Sequence, residues 1–83
     1  MITVMKLPAV FEMVRVHDQT GISGTGKVGE GFVASDGKVT FHWTTEGKPR
    51  SVVFYQDIHD FYAIHVDPHP DNGTIIRWLL GGT

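Results

Sequence analysis

The chain has 83 residues, a formal net charge of −2 and no cysteine, which allows one small domain, 1–83, and excludes a disulfide-stapled or thiolate-zinc fold. No Lys/Arg cluster exceeds the pair Lys48 and Arg50, so long nucleic acid is not an expected partner, because neutralising its phosphates needs a basic face. No apolar run approaches the roughly 20 residues of a membrane span, and the start "MITVMKLPAV" lacks the apolar core of a signal peptide, so a cytoplasmic protein is expected.

A domain this small buries only about 60% of its unfolded surface. Without a covalent staple, association with copies of itself is the expected source of extra burial, so a homo-oligomer is expected.

Residues 9–16, "AVFEMVRV", read as the first strand, with Val10, Val14 and Val16 on one face and Phe11 and Met13 on the other. A glycine-rich segment follows. Residues 27–35, "KVGEGFVAS", alternate β-branched or aromatic residues with small or polar ones and predict a second strand. Asp36-Gly37 in "SDGK" suits a two-residue type I′ hairpin turn. "KVTFHWT" then gives a third strand with Val39, Phe41 and Trp43 on one side and Thr40, His42 and Thr44 on the other. After the loop "TEGKPR", "SVVFY" at 51–55 predicts a fourth strand. Asp57 can cap a single helical turn in "QDIHDFYAI". "AIHV" and "TIIRWLL" read as a last strand pair across "DPHPDNG". The expected fold is all-β: a small SH3-like barrel, or a strongly bent antiparallel sheet, of about six strands with one short helical turn.

Between the first two strands, Gly21 to Lys27 spells G-x-x-x-x-G-K, a Walker A loop up to its last position, where Val28 replaces Ser or Thr. A working Walker A needs a following helix to present amides to phosphate and a hydroxyl for Mg²⁺. "VGEGFV", with two glycines and two valines, is a poor helix, and valine cannot bind magnesium. The match is accidental. What remains is a run of amides unshielded by side chains, with hydroxyls from Thr20, Ser23 and Thr25 and the charge of Lys27. Such amides arranged around a concavity bind anions without a helix. The bland alternative is a wide hairpin loop that satisfies its own backbone.

His59, His65 and His69 fall within eleven residues, interleaved with Asp57, Asp60, Asp67 and Asp71. Their spacing matches no strong zinc signature, so no metal and no cofactor are expected. A histidine pair can serve as acid and base in metal-free phosphodiester cleavage, or simply hydrogen-bond a polar ligand. The plain structural reading is a solvated turn with His59 on the exposed side of one helical turn. His17 beside Asp18 reads as a strand-end pair, and His42 points to solvent or a subunit seam. The nine aromatics (two Trp, two Tyr, five Phe) are many for so small a core. Trp78 and Tyr55 are therefore the choices to line a pocket or interface, where an aromatic face can stack on a base.

The order of these segments resembles a family of short proteins from bacteria, archaea and especially phages and prophages. Its members carry a D-x-T/S-G-V-S-G-T-G-x-V-x-E-G loop and strand, then S-D-G-x-V-x-x-x-W, then a closing I-H-G-H-x-G-A-T-x-I-x-W. Matching positions are Asp18, Thr20, Gly21, Ser23, Gly24, Thr25, Gly26, Val28, Glu30 and Gly31, followed by Asp36, Gly37, Val39 and Trp43. Ile64, His65, Gly73, Thr74, Ile76 and Trp78 complete the pattern. The end departs from it, with "HVDPHPDNGT" in place of the shorter "HGHxGAT", so the motif does not assign His69 to the second histidine.

The resemblance implies a phage or prophage setting and thus the host cytoplasm. Phages encode many tiny oligomeric proteins that sequester or cleave host nucleotide immune signals, and by that analogy this chain would do the same. The expectation is a protein that binds and sequesters a phosphorylated small molecule of nucleotide type. Thr20, Gly21, Ser23, Gly24, Thr25, Gly26 and Lys27 would hold phosphate, His65 and His69 would touch phosphate or sugar, and Trp78 would stack on the base. Two alternatives stand beside it: a metal-independent phosphodiesterase with His65 and His69 as catalytic residues, and a protein-binding inhibitor or structural module without ligand.

Overall fold

In the first strand, β1 (Lys6–Arg15), alternate residues Ala9, Phe11, Met13 and Arg15 are buried while those between them are not. This two-residue period places one face of the strand on a core and the other outside. The chain is described here by a computed structural model over residues 5–17, 25–68 and 73–82. β2 (Gly26–Val33), β3 (Val39–Trp43), β4 (Val52–Tyr55), the helix α1 (Ile58–His65) and β5 (Ile75–Gly82) follow in chain order. The five strands form one antiparallel sheet in the order β4-β3-β2-β1-β5. The two outermost strands do not pair with each other, so the sheet is open, and the all-β, bent-sheet expectation holds in place of the closed barrel.

The inner face carries the core: Phe11, Met13, Val28, Val33, Val39 and Phe41 from the sheet, closed over by Ile58 and Phe61 from α1. Phe61 sets its ring 5.3 Å from Phe11 and 4.8 Å from Phe41, edge-on to the first and tilted to the second. Both are favourable approaches between aromatic quadrupoles. Two glycines of β2 make room for the large rings. A methyl group on Gly31 would lie 2.3 Å from the ring of Phe11, and one on Gly29 would lie 2.2 Å from Phe41 and 2.6 Å from the backbone oxygen of His42.

The helix is longer than the sequence reading allowed. "AIHV" does not pair as a strand; its Ala63, Ile64 and His65 complete α1. Ile58, Phe61, Tyr62 and His65 recur at i, i+3, i+4 and i+7, a helical stripe that faces the sheet and outweighs the local strand preference. Asp57 starts α1 as expected, its carboxylate accepting from the backbone N–H of His59 at 2.7 Å. The sheet therefore has five strands among the described residues.

The β2–β3 hairpin also differs from the two-residue turn. Ala34 N–H donates to the Lys38 carbonyl and Gly37 N–H to the Ala34 carbonyl, each at 2.9 Å, so Ser35, Asp36 and Gly37 form a three-residue loop. Only Gly37 takes a positive φ, +90°. Asp36 instead keeps negative φ and uses its carboxylate to accept from the N–H of Lys38 at 3.1 Å. The result is a type I turn closed by a glycine bulge, the other common hairpin solution.

Candidate functional site

The site is built at the end of the sheet where β1 finishes and β2 begins. Arg15 is the charged residue that is buried, at 5% exposure, among the described residues. It follows Phe11 and Met13 on the inner face and pairs across the ladder with Gly26. Its guanidinium donates through Nη2 to the carbonyl oxygen of His65 at 2.8 Å. The same group lies 5.7 Å from the ring centre of Trp43, within reach of a cation–π attraction.

The imidazole of His65 is half-buried against the inner face. Trp43 meets it edge-on at 5.2 Å, Phe61 lies tilted at 5.1 Å, and Phe41 stacks at 6.3 Å. Tyr55 Oη forms a hydrogen bond with His65 Nε2, which fixes the ring about its long axis. Burial raises the pKa of the Tyr55 phenol above its ordinary value of 10.0, because the phenolate loses solvation there. Tyr55 therefore remains a neutral hydroxyl partner across the neutral range.

Lys27 goes elsewhere. The register between β1 and β2 shifts between Met13 and Val14, leaving Val28 as the extra residue. Gly29, Gly31 and Val33 are buried, so simple alternation would turn Lys27 inward; with the bulge, Val28 is buried and Lys27 shares the face of Val14. There its ammonium meets Glu30 at 2.9 Å and Glu12 at 3.6 Å, and Glu30 above all holds its pKa above the usual lysine value. Arg15, rather than Lys27, is thus the cation beside His65.

Of the other expected site residues, Thr25 and Gly26 are described and exposed, at the start of β2 beside Arg15. Asp18, Thr20, Gly21, Ser23, Gly24, His69 and Asp71 lie outside the described residues. Trp78 stands apart from Arg15: it pairs with Phe11, four residues along β1, and its ring meets Phe11 edge-on at 5.2 Å. It lines a shallow hollow with Met5, Ile58, His59 and Tyr62. His59 is exposed and bonds Asp57 through Nδ1 at 2.7 Å, as the plain structural reading held. Among the described residues no three His, Cys, Asp or Glu side chains group to hold a metal ion, and no helix is long and apolar enough to cross a membrane.

β5 also begins at this end, with Ile75 opposite Val14. Just before it, Thr74 has a buried Oγ1 with no hydrogen-bond partner among the described residues. One end of the fold therefore gathers a buried cation, an oriented imidazole, an indole and a buried threonine hydroxyl, next to the strand ends that segment 18–24 joins.

The family model for "Acb5 phage protein" matches residues 8–80, nearly the whole chain. The chain belongs to the Acb5 phage protein family. The resemblance to short phage proteins holds at that level, and the matched span runs from within β1 to within β5, with β2, β3, β4 and α1 wholly inside it. Comparison with curated proteins and with solved structures gave no match.

Sequence reasoning did not single out Arg15, Trp43 and Thr74 as site residues. For Arg15 a signal existed: with Phe11 and Met13 facing inward, the next residue on that face is a charge, and a charge on a buried face demands a partner. Trp43 and Thr74 stand among the positions that match the family pattern, but the alternation of Trp43 with Phe41 reads equally well as plain core.

Proposed function

We propose that this Acb5-family chain binds and sequesters a phosphorylated small molecule, a nucleotide-type immune signal, in the host cytoplasm. The observation that carries the reading is the buried guanidinium of Arg15, held between the His65 carbonyl and the Trp43 ring beside Gly26. A guanidinium supplies a planar fork of donors suited to phosphate. Segment 20–27 adds backbone amides and the hydroxyls of Thr20, Ser23 and Thr25, and His65, His69 and Thr74 complete the polar contacts. The indole of Trp43 offers the base a stacking face at this end, a role first assigned to Trp78.

Holding the ligand fits better than cleaving it. Tyr55 holds Nε2 of His65 and aromatics enclose its ring, a fixed orientation that suits a steady ligand contact better than the repeated proton exchange of an acid–base catalyst. The test is incubation with a panel of cyclic and ADP-ribose-type nucleotides, gel filtration, heat denaturation and mass analysis of what is released. Intact nucleotide released by heat is the expected result. Converted products would replace sequestration with the metal-independent phosphodiesterase, and no retained nucleotide would leave the protein-binding module.

A further inference from the structure

Among the described residues no layer covers the second face of the sheet, and its side chains form two cross-strand rows. Ladder partners Leu80, Val10, Phe32, Thr40 and Phe54 run in one line across all five strands. Leu80 is 62% exposed, Phe32 43% and Phe54 76%. One step along the strands, Arg77, Glu12, Glu30 and His42 make a parallel polar row. Arg77 Nη1 donates to Glu12 at 2.7 Å, and Lys27 lies between Glu12 and Glu30. Two cations and two carboxylates therefore cancel within the row.

We infer that this face is the seam of a homodimer, two sheets packed face to face, with the Leu80–Phe54 stripe at its centre. An exposed apolar stripe that crosses a whole sheet marks an interaction surface, and α1 covers only the other face. The charge pattern selects the occupant. An isologous interface sets a patch against its own copy, so a patch of one sign repels itself. This patch is neutral and internally paired, and presents no net charge to a nucleic acid or an acidic surface.

The size also fits a second copy. Five strands about 4.8 Å apart and some 20 Å long give a face of roughly 500 Å². Two such faces bury about 1,000 Å², the threshold of a specific interface. The seam lies on the side of the sheet opposite Arg15 and His65, so it is independent of the ligand reading.

Sedimentation velocity from low to high micromolar concentration tests the inference. The wild type is expected at twice the 9.2 kDa of one chain, with a melting temperature that rises with concentration, as mass action requires of a dimer. Phe54→Lys places a charge at the seam without touching the core and is expected to sediment as single chains with unchanged far-UV circular dichroism. Ile64→Lys, on the exposed side of the helix, is expected to remain dimeric. If Phe54→Lys fails to fold, Thr40→Lys on the same row makes the same test. Single chains in the wild type at every concentration would overturn the inference. So would dimers that persist in the folded Phe54→Lys or Thr40→Lys variant.

Discussion

Arg15 and His65, fifty residues apart, are joined by a hydrogen bond from the guanidinium to the histidine carbonyl. That contact ties the end of β1 to the last turn of α1, and it sets a buried positive charge beside the start of β2. The same residue thus serves packing and is the cation of the proposed site, which makes its replacement informative on both counts.

Arg15→Gln keeps a polar donor but removes the charge. The loss of a charge-assisted hydrogen bond is expected to cost about 2 kcal/mol of stability, measured by chemical denaturation at neutral pH. Nucleotide retention is expected to fall at least tenfold, equivalent to about 1.4 kcal/mol of binding. A variant that loses stability yet retains nucleotide unchanged would assign Arg15 to the fold alone.

Gly29→Ala is expected to destabilise the chain by roughly 1–3 kcal/mol, the range for overpacking a filled core. The added methyl meets the backbone oxygen of His42 as well as the Phe41 ring, so the collision cannot be relieved by a rotamer change alone. Thermal unfolding measures it, and an unchanged midpoint would refute the close approach.

Tyr55→Phe removes the hydroxyl on His65 and is expected to cost about 1 kcal/mol. It also alters the alkaline limb of stability. Burial raises the folded-state pKa of Tyr55 above 10.0, so its contribution is fully present below that pH and is lost as pH rises through the higher folded value. Tyr62, raised by burial and by the charge of Asp67, acts in the same sense. Denaturation curves between neutral pH and pH 11 should show a decline that is shallower in Tyr55→Phe.

Asp57→Ala deletes the cap of α1 and is expected to lower the melting temperature by about 5 °C, while Asp57→Asn retains most of the effect because its amide oxygen also accepts. The carboxyl of Asp57 is held below its ordinary 3.8, first by the backbone N–H of His59. Its contribution is therefore present above pH 3.8 and lost as pH falls below it. Melting curves between neutral pH and pH 3 check both parts.

Much of the fold was legible because strand alternation is a local property. Val39, Phe41 and Trp43 declare the inner face of β3, and Asp57 declares a helix start. Where local patterns competed, the sequence reading failed: "AIHV" is a fair strand by composition, and only the packing of Tyr62 and His65 on the sheet makes it helical. The bulge at Val28 was equally hidden. It depends on pairing with β1, and it decides that Lys27 leaves the inner face. For the same reason Arg15 was not legible as a candidate cation, since it reaches His65 only through a contact between distant parts of the chain. Glycines and histidines advertise themselves in a sequence, whereas a charge at the end of an apolar face does so only once the face is known.

The most direct test of ligand binding uses the two tryptophans, Trp43 beside Arg15 and Trp78 against Phe11. The panel of nucleotides is titrated into a Trp78→Phe chain while the fluorescence of Trp43 is recorded. A saturable change with at least one nucleotide, absent when Arg15→Gln is added, is the expected result. Constant Trp43 emission with every nucleotide, from a chain shown to be folded, would contradict the assignment of this end of the sheet as the binding site.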